Sequence, residues 1–229
     1  MSGTVLITGA NSGLGFETAR QLAGGSRWDR IVLSARSQTK AEDARSRLLA
    51  ATQTSPERLS TVVFDNTLPE TIRVAVRQLN NEYGRLEALV LNAGGIAQTD
   101  PTGAPQRTES GQSTMYAMNV GGHALLVHEL LGSGAIGEWT SVVFAGSEIS
   151  RGIPVLAMPR VMLPTDHGPI ETCLRAVARG QHGGKRYDPI LSKLAVGLAD
   201  LQQDSSGFAD LRKKFSLRAK VPRCVNKHG

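Results

Sequence analysis

The chain has 229 residues, of which 40% are hydrophobic, so it is long enough to bury a full core in one domain. Its formal net charge is +6, but residues 205–229 hold seven Lys or Arg and one acid, which leaves 19 basic and 19 acidic side chains on the other residues. The two cysteines show neither CxxC nor Cys/His ligand spacing, which argues against a metal site and a disulfide framework. No apolar run approaches the roughly 20 residues of a membrane span, so we expect a soluble cytoplasmic protein without a membrane partner.

The N-terminal stretch combines an apolar run, three glycines and a helical pattern. Residues 5–7 suit a buried parallel strand, and the helical pattern runs from Gly13 to about Gly24. Gly9 can adopt the dihedrals of a tight turn, and Gly15 lets the helix pack close to the strand. The free N–H groups at the helix start suit a phosphate. The predicted pyrophosphate cradle comprises Gly9, Asn11, Ser12, Gly13, Leu14 and Gly15.

The glycine spacing is Gly-x-x-x-Gly-x-Gly, and Thr8 precedes it. This motif resembles that of the short-chain dehydrogenase/reductase family. The resemblance implies a dinucleotide-binding fold and hydride-transfer chemistry.

Residues 30–37 predict a second buried strand, whose end lies beside the adenosine ribose in a right-handed βαβ unit. Family members that prefer NAD carry Asp where this sequence has Ala35, and Arg36 follows directly. Because the planar guanidinium suits a 2′-phosphate, the expected cofactor is NADP (NADPH). The alternative is a surface arginine that caps a helix.

The βα alternation continues with a helix over 38–52 and a third strand over 59–64. Thr67-Leu68-Pro69-Glu70 predicts a capping box that opens a helix through about Glu82. The family resemblance implies that Asp65 contacts the adenine edge, with Asn66 beside it. An Asp that ends a strand is also a common turn former.

Residues 88–91 predict the fourth strand, which runs into Asn92-Ala93-Gly94, the second signature of the family. Small residues here let the chain pass close under the cofactor, and the Asn92 side chain can tie neighbouring strands. We therefore expect Asn92, Ala93 and Gly94 to contact the cofactor.

After a loop over 97–110, a helix is predicted from about Ser113 to Leu131. Within it, Asn119-Val120-Gly121-Gly122-His123 resembles the family's Asn-x-x-Gly-His. By that resemblance, Asn119 opens the helix locally and holds a water that relays protons to a catalytic lysine. His123 is expected to be a packed or solvated histidine.

A fifth strand is predicted over 140–144, and Ser147 takes the place of the family serine that hydrogen-bonds the substrate carbonyl. Ser141 and Ser150 are poorer candidates. The long segment 151–186, with four prolines, is expected to shape a substrate site.

Ser192-Lys193-Leu194-Ala195 matches the family's catalytic helix, in which a tyrosine precedes the lysine by four residues. Here Tyr187 precedes Lys193 by six residues, a rotation of about 600° about a helix axis, whereas four residues give about 400° and place both side chains on one face. The position four residues before the lysine holds Pro189. Asp188-Pro189 suits an N-cap and a first helical residue, which would place Tyr187 outside the helix and let it reach the site. The alternative is a structural tyrosine beside the loop. The resemblance implies that Lys193 lowers the pKa of the phenol and holds the nicotinamide ribose.

The expected architecture is a single α/β domain with a doubly wound, Rossmann-type parallel sheet over 1–204 and a basic tail over 205–229. The tail is expected to be solvated or disordered, or else a phosphate-binding arm, and no nucleic-acid partner is expected. The resemblance implies an NADP(H)-dependent oxidoreductase that acts on a small-molecule carbonyl or alcohol; a homo-oligomer is left open. The alternative is a nucleotide-binding pseudoenzyme or partner subunit, and the last thirty residues, which lack the family's Pro-Gly loop, leave a truncated or divergent form open.

Overall fold

The computed structural model describes residues 3–95 and 106–146. The strands are β1 (Thr4–Ile7), β2 (Arg30–Ala35), β3 (Leu59–Val63), β4 (Ala88–Leu91) and β5 (Ser141–Phe144). The main helices are α1 (Gly13–Gly24), α2 (Gln38–Thr52) and α3 (Pro69–Tyr83). After them come α4 (Thr114–Tyr116), a π turn (Ala117–Gly121) and α5 (Gly122–Gly132), and a short 3₁₀ helix (Pro56–Arg58) precedes β3.

All five strands pair in parallel, in the order β3-β2-β1-β4-β5. The central strand β1 is wholly buried, and Leu6 pairs with Val32 of β2 and Leu89 of β4. Alternate residues of a strand point to opposite faces, so Leu6 and Ile7 enter two separate clusters. The first cluster packs under α3 and α5 and the second under α1 and α2. The predicted doubly wound α/β sheet is confirmed.

Helix α3 begins differently from the prediction, which was wrong about the capping box. Its N-cap is Leu68, which makes no capping bond from its side chain, and Pro69 is the first helical residue. Thr67 donates instead to Asp65 Oδ1, from its backbone N–H at 2.8 Å and from Oγ1 at 2.7 Å. The Asp65 side chain thus holds Thr67 in a local turn, one residue before the N-cap of α3.

Two predicted boundaries shift for similar local reasons. Strand β2 ends at Ala35 because Ser37 belongs to the next helix, where its side chain accepts from the Lys40 N–H as the N-cap. Strand β5 begins at Ser141 because Thr140 Oγ1 donates to the Leu86 carbonyl at 2.8 Å.

The helical segment that begins after Ser113 contains a change of register. The Gly122 N–H donates to the Ala117 carbonyl, five residues back, at the end of the π turn. The helix is therefore opened around Asn119, as expected. Across the two described ranges, no helix has the length and apolar character needed to cross a bilayer.

Candidate cofactor-binding site

A cavity of about 600 Å³ lies at the carboxyl ends of the strands, where parallel α/β sheets bind ligands. Residues that follow β1, β2, β3 and β4 all contribute to its wall. The predicted cofactor-binding residues that line it are Gly9, Asn11, Ser12, Gly13, Leu14, Arg36, Asp65, Asn66, Asn92, Ala93 and Gly94.

The glycine turn brings the chain into close contact behind this cavity. Gly9 has φ +64°, and a Cβ there would lie 2.8 Å from Ala93 Cα. A Cβ on Gly15 would lie 2.4 Å from the Gly9 carbonyl oxygen and 2.5 Å from Asn92 Nδ2. Gly15 is not part of the cavity wall, so it acts on the site by letting α1 pack against the turn, as expected for the third glycine.

Helix α1 presents its N-terminus to the cavity. Its N-cap Ser12 makes no capping bond from its side chain, Gly13 has open space where a Cβ would stand, and Leu14 is 76% exposed. The first-turn N–H groups and the helix dipole suit an anion at this position.

Arg47 supports the turn from α2, a contact that the sequence did not reveal. Its Nη2 donates to the Asn11 carbonyl at 2.7 Å, and its guanidinium lies 4.4 Å from the centre of the Phe16 ring. Arg47 and Asn11 are 36 residues apart, and no local pattern links them.

Two cations stand at the end of β2. Arg36 and Lys40 are both exposed and line the cavity, while Ala35 is buried where an acid would repel a phosphate. Within the described ranges, the Arg36 guanidinium makes no ion pair and no hydrogen bond. Sequence reasoning missed Lys40, which it placed only in a helical pattern; the available signal was its place in the first turn of α2, four residues after Arg36.

Asp65 and Asn66 form the wall beyond β3. Because Thr67 already donates twice to Asp65 Oδ1, the turn-forming role that the sequence left open for Asp65 is present in the structure. Asn66 is 8% exposed, and its Nδ2 donates to the Met118 carbonyl at 2.9 Å. The contact of Asp65 with the adenine edge, with Asn66 beside it, stays a prediction.

Thr8 joins β1 to the Asn92-Ala93 segment. Its Oγ1 accepts from the N–H groups of Asn92 at 2.8 Å and Ala93 at 2.9 Å, and Asn92 Nδ2 donates back to the Thr8 carbonyl at 3.2 Å. The side chain of Asn92 therefore ties two neighbouring strands, as expected.

His123 packs behind Thr8, which confirms that it is a packed histidine. Its Nε2 lies 3.1 Å from Thr8 Oγ1, and its ring meets Phe144 edge to face. Burial lowers the pKa of His123 to about 4, and the backbone carbonyl of Asn119 opposes this effect. The ring is therefore neutral at physiological pH, and the contact with Thr8 is a support of the site that the sequence did not reveal.

Asn119 is 4% exposed, and its side chain is bonded to the chain beside the cavity. Oδ1 accepts from the Gly95 N–H at 2.9 Å, while Nδ2 donates to the carbonyls of Gly95 at 3.0 Å and Met115 at 2.9 Å. Asn119 thus holds the Gly94-Gly95 segment. Ser147, Tyr187 and Lys193 lie outside the described residues, so the proton relay and the catalytic assignments stay predictions.

The arrangement fits a dinucleotide phosphate. The amides at the start of α1 can hold a pyrophosphate, and the pair Arg36 and Lys40 can hold a further phosphate at the ribose. In the described part of the chain, no three His, Cys, Asp or Glu side chains are grouped to hold a metal ion.

Sheet order and cavity together define a Rossmann-type α/β protein that presents a nucleotide-sized cleft at the strand ends. The sequence model of the family described as short chain dehydrogenase matches residues 3–158. The chain therefore belongs to the short-chain dehydrogenase/reductase family, a family of oxidoreductases.

A curated relative agrees with this assignment. The short-chain dehydrogenase anuI of Penicillium roqueforti is 37% identical over 127 residues, which are 56% of this chain and 48% of that protein. The chain thus spans about half the length of this curated relative.

Two solved structures share the fold. A short-chain dehydrogenase/reductase variant of Serratia marcescens has a TM-score of 0.60 and 18% identity, covering 92% of this chain and 69% of its own. The N-domain of a bacterial malonyl-CoA reductase with NADP has a TM-score of 0.56 and 21% identity, covering 65% of this chain and 29% of its own.

Proposed function

We propose that the protein is an NADP(H)-dependent oxidoreductase that interconverts a small-molecule carbonyl and its alcohol, in the cytoplasm. The observation that carries this proposal is the pair of exposed cations, Arg36 and Lys40, in the cavity wall at the end of β2, with no acid at Ala35. A 2′-phosphate there would meet two positive charges and, at position 35, no carboxylate. The malonyl-CoA reductase domain of similar fold was solved with NADP, which supports the same cofactor class.

The described residues would bind and orient the cofactor. The amides of α1 would hold the pyrophosphate, Thr8 would keep Asn92 and Ala93 in place, and Asn119 would hold Gly95 at the far wall. When bound, the nicotinamide supplies or accepts the hydride. In this proposal Ser147 polarises the carbonyl, Tyr187 exchanges the proton, and Lys193 lowers the pKa of the phenol.

A second candidate function is nucleotide binding without redox turnover. The observation in its favour is Pro189, which occupies the position four residues before Lys193, while Tyr187 is displaced to six before it. Proline has no proton to donate. Such a protein would keep the cofactor site and act as a regulator or partner subunit.

The test is NADPH oxidation over a panel of ketones and quinones with the wild type, Tyr187→Phe and Lys193→Ala. A positioned acid contributes about a hundred- to ten-thousand-fold, so a displaced tyrosine should leave slow turnover that depends on Lys193. Fast turnover that Tyr187→Phe abolishes would show that the phenol is delivered to the site and would end the second candidate. Tight NADPH binding with no turnover on any substrate would reject the oxidoreductase and favour nucleotide binding alone.

A further inference from the structure

The π turn changes the partner of one backbone carbonyl. In an α-helix the Gly122 N–H would donate to the Met118 carbonyl, four residues back. Here it donates to Ala117, five residues back, which takes that partner away from Met118. The Asn66 side chain supplies a replacement, since its Nδ2 donates to the Met118 carbonyl at 2.9 Å. A residue 52 positions away therefore completes the π turn.

The same two segments are in direct contact at the next turn of the helix. A Cβ on Gly122 would lie 2.4 Å from both Asn66 Cβ and the Asn66 carbonyl oxygen. Only a glycine lets the start of α5 approach the segment after β3 this closely. Because both Asn66 and Gly122 are buried, the bond to Met118 is made inside a packed contact.

Asn119 links the π turn to the cavity wall. It is bonded to Gly95 in both directions, and a Cβ on Gly94 would lie 2.5 Å from its Oδ1. Asn66, Met118, Gly94 and Gly95 all line the same cavity. The π turn therefore connects the wall beyond β3 with the wall beyond β4.

We propose that Asn66 is a positioning residue for Asn119, because its amide donor holds the Met118 carbonyl and so keeps the π turn that presents Asn119 to Gly95. The inference deepens the cofactor site and rests on the proposed function. It requires a hydrogen-bond donor at position 66: the nearly isosteric Asp would face the Met118 carbonyl with an acceptor.

The experiment compares Asn66→Asp and Asn66→Ala with Asn81→Asp, which makes the same chemical change at an exposed position of α3. Backbone amide exchange in the free protein is measured by mass spectrometry. Loss of a buried hydrogen bond should speed exchange over residues 114–122 by about tenfold or more in both Asn66 variants, with β1 and β2 unchanged. Asn81→Asp should exchange like the wild type.

Turnover separates positioning from general stability. Measured at saturating NADPH, so that a change in cofactor affinity does not contribute, turnover of Asn66→Ala, which adds no charge, should fall by about tenfold or more. Unchanged exchange over 114–122, or exchange that rises equally in every strand, would overturn the inference. If neither variant folds, the wild-type side-chain amide of Asn66 is followed by NMR, and exchange as fast as that of the exposed Asn81 would overturn it.

The exchange measurements need neither cofactor nor substrate. Absence of NADPH binding or turnover in the wild type would therefore reject the proposed function and leave the positioning role to be judged on exchange alone.

Discussion

The free energy of unfolding should fall much less between neutral and mildly acidic pH when His123 is replaced. The ring is 1% exposed, and its Nε2 lies 3.1 Å from Thr8 Oγ1. Burial lowers the pKa of His123 from 6.5 to about 4. In the unfolded chain the same histidine recovers a pKa of about 6.5.

The sign follows from the direction of this shift. As pH falls, the unfolded chain takes up the proton first, so the contribution is complete above about pH 6.5 and is lost as pH falls towards about 4. At about 1.4 kcal/mol for each pKa unit, the total is about 3 kcal/mol, of which about 2 kcal/mol is lost by pH 5. Glu17 also has a lowered pKa, about 2, because Arg20 hydrogen-bonds its carboxylate, but its titration falls mainly below this window.

The assay is urea unfolding at pH 7.5 and pH 5 for the wild type, His123→Gln and the exposed control His128→Gln. Glutamine can place a polar atom near the position of Nε2 without a titratable group. We expect the stability difference between the two pH values to shrink by about 2 kcal/mol in His123→Gln and to stay unchanged in His128→Gln. If His123→Gln lost as much stability between pH 7.5 and pH 5 as the wild type, the reasoning would be refuted.

Two further predictions concern the cation at the end of β2 and the glycine turn before α1. Arg36→Ala should weaken NADPH binding by tenfold or more, about 1.4 kcal/mol, and leave NADH binding unchanged when both cofactors are titrated. The control Arg77→Ala, at an exposed position of α3, should change the affinity for neither cofactor. An unchanged ratio of NADPH to NADH affinity in Arg36→Ala would show that Arg36 does not bind the 2′-phosphate. Gly15→Ala should lower the free energy of unfolding by about 1–3 kcal/mol in urea melts, because its Cβ would stand 2.4 Å from the Gly9 carbonyl oxygen. Gly24→Ala, with open space at the end of the same helix, should be neutral or stabilising, and equal effects at the two glycines would contradict the packing argument.

The sequence was sufficient to place the five strands and the main helices of the described ranges, although the start of α3 and one end each of β2 and β5 differ from the prediction. Apolar runs, helical periodicity and glycine spacing are local properties, so β1, the turn at Gly9 and the start of α1 could be located without knowing any long-range contact. The position of Arg36 also followed, since the end of β2 in a right-handed βαβ unit has one place relative to β1. The family motifs identified the wall at Asn92.

Local patterns failed at the start of α3. Thr67 and Glu70 match a capping box, but Leu68 is the N-cap, so Thr67 lies one residue before it and is held in a turn by Asp65. The outcome depends on the geometry at the end of β3.

Only the tertiary structure decided which distant side chains support the cavity. His123 reaches Thr8 across 115 residues, Asn66 reaches Met118 across 52, and nothing in the intervening sequence marks either pair. Such contacts arise because packing the helices on the two faces of the sheet brings separate segments together. Burial then favours hydrogen bonds between the polar groups that packing brings together, because an unpaired buried polar group is costly.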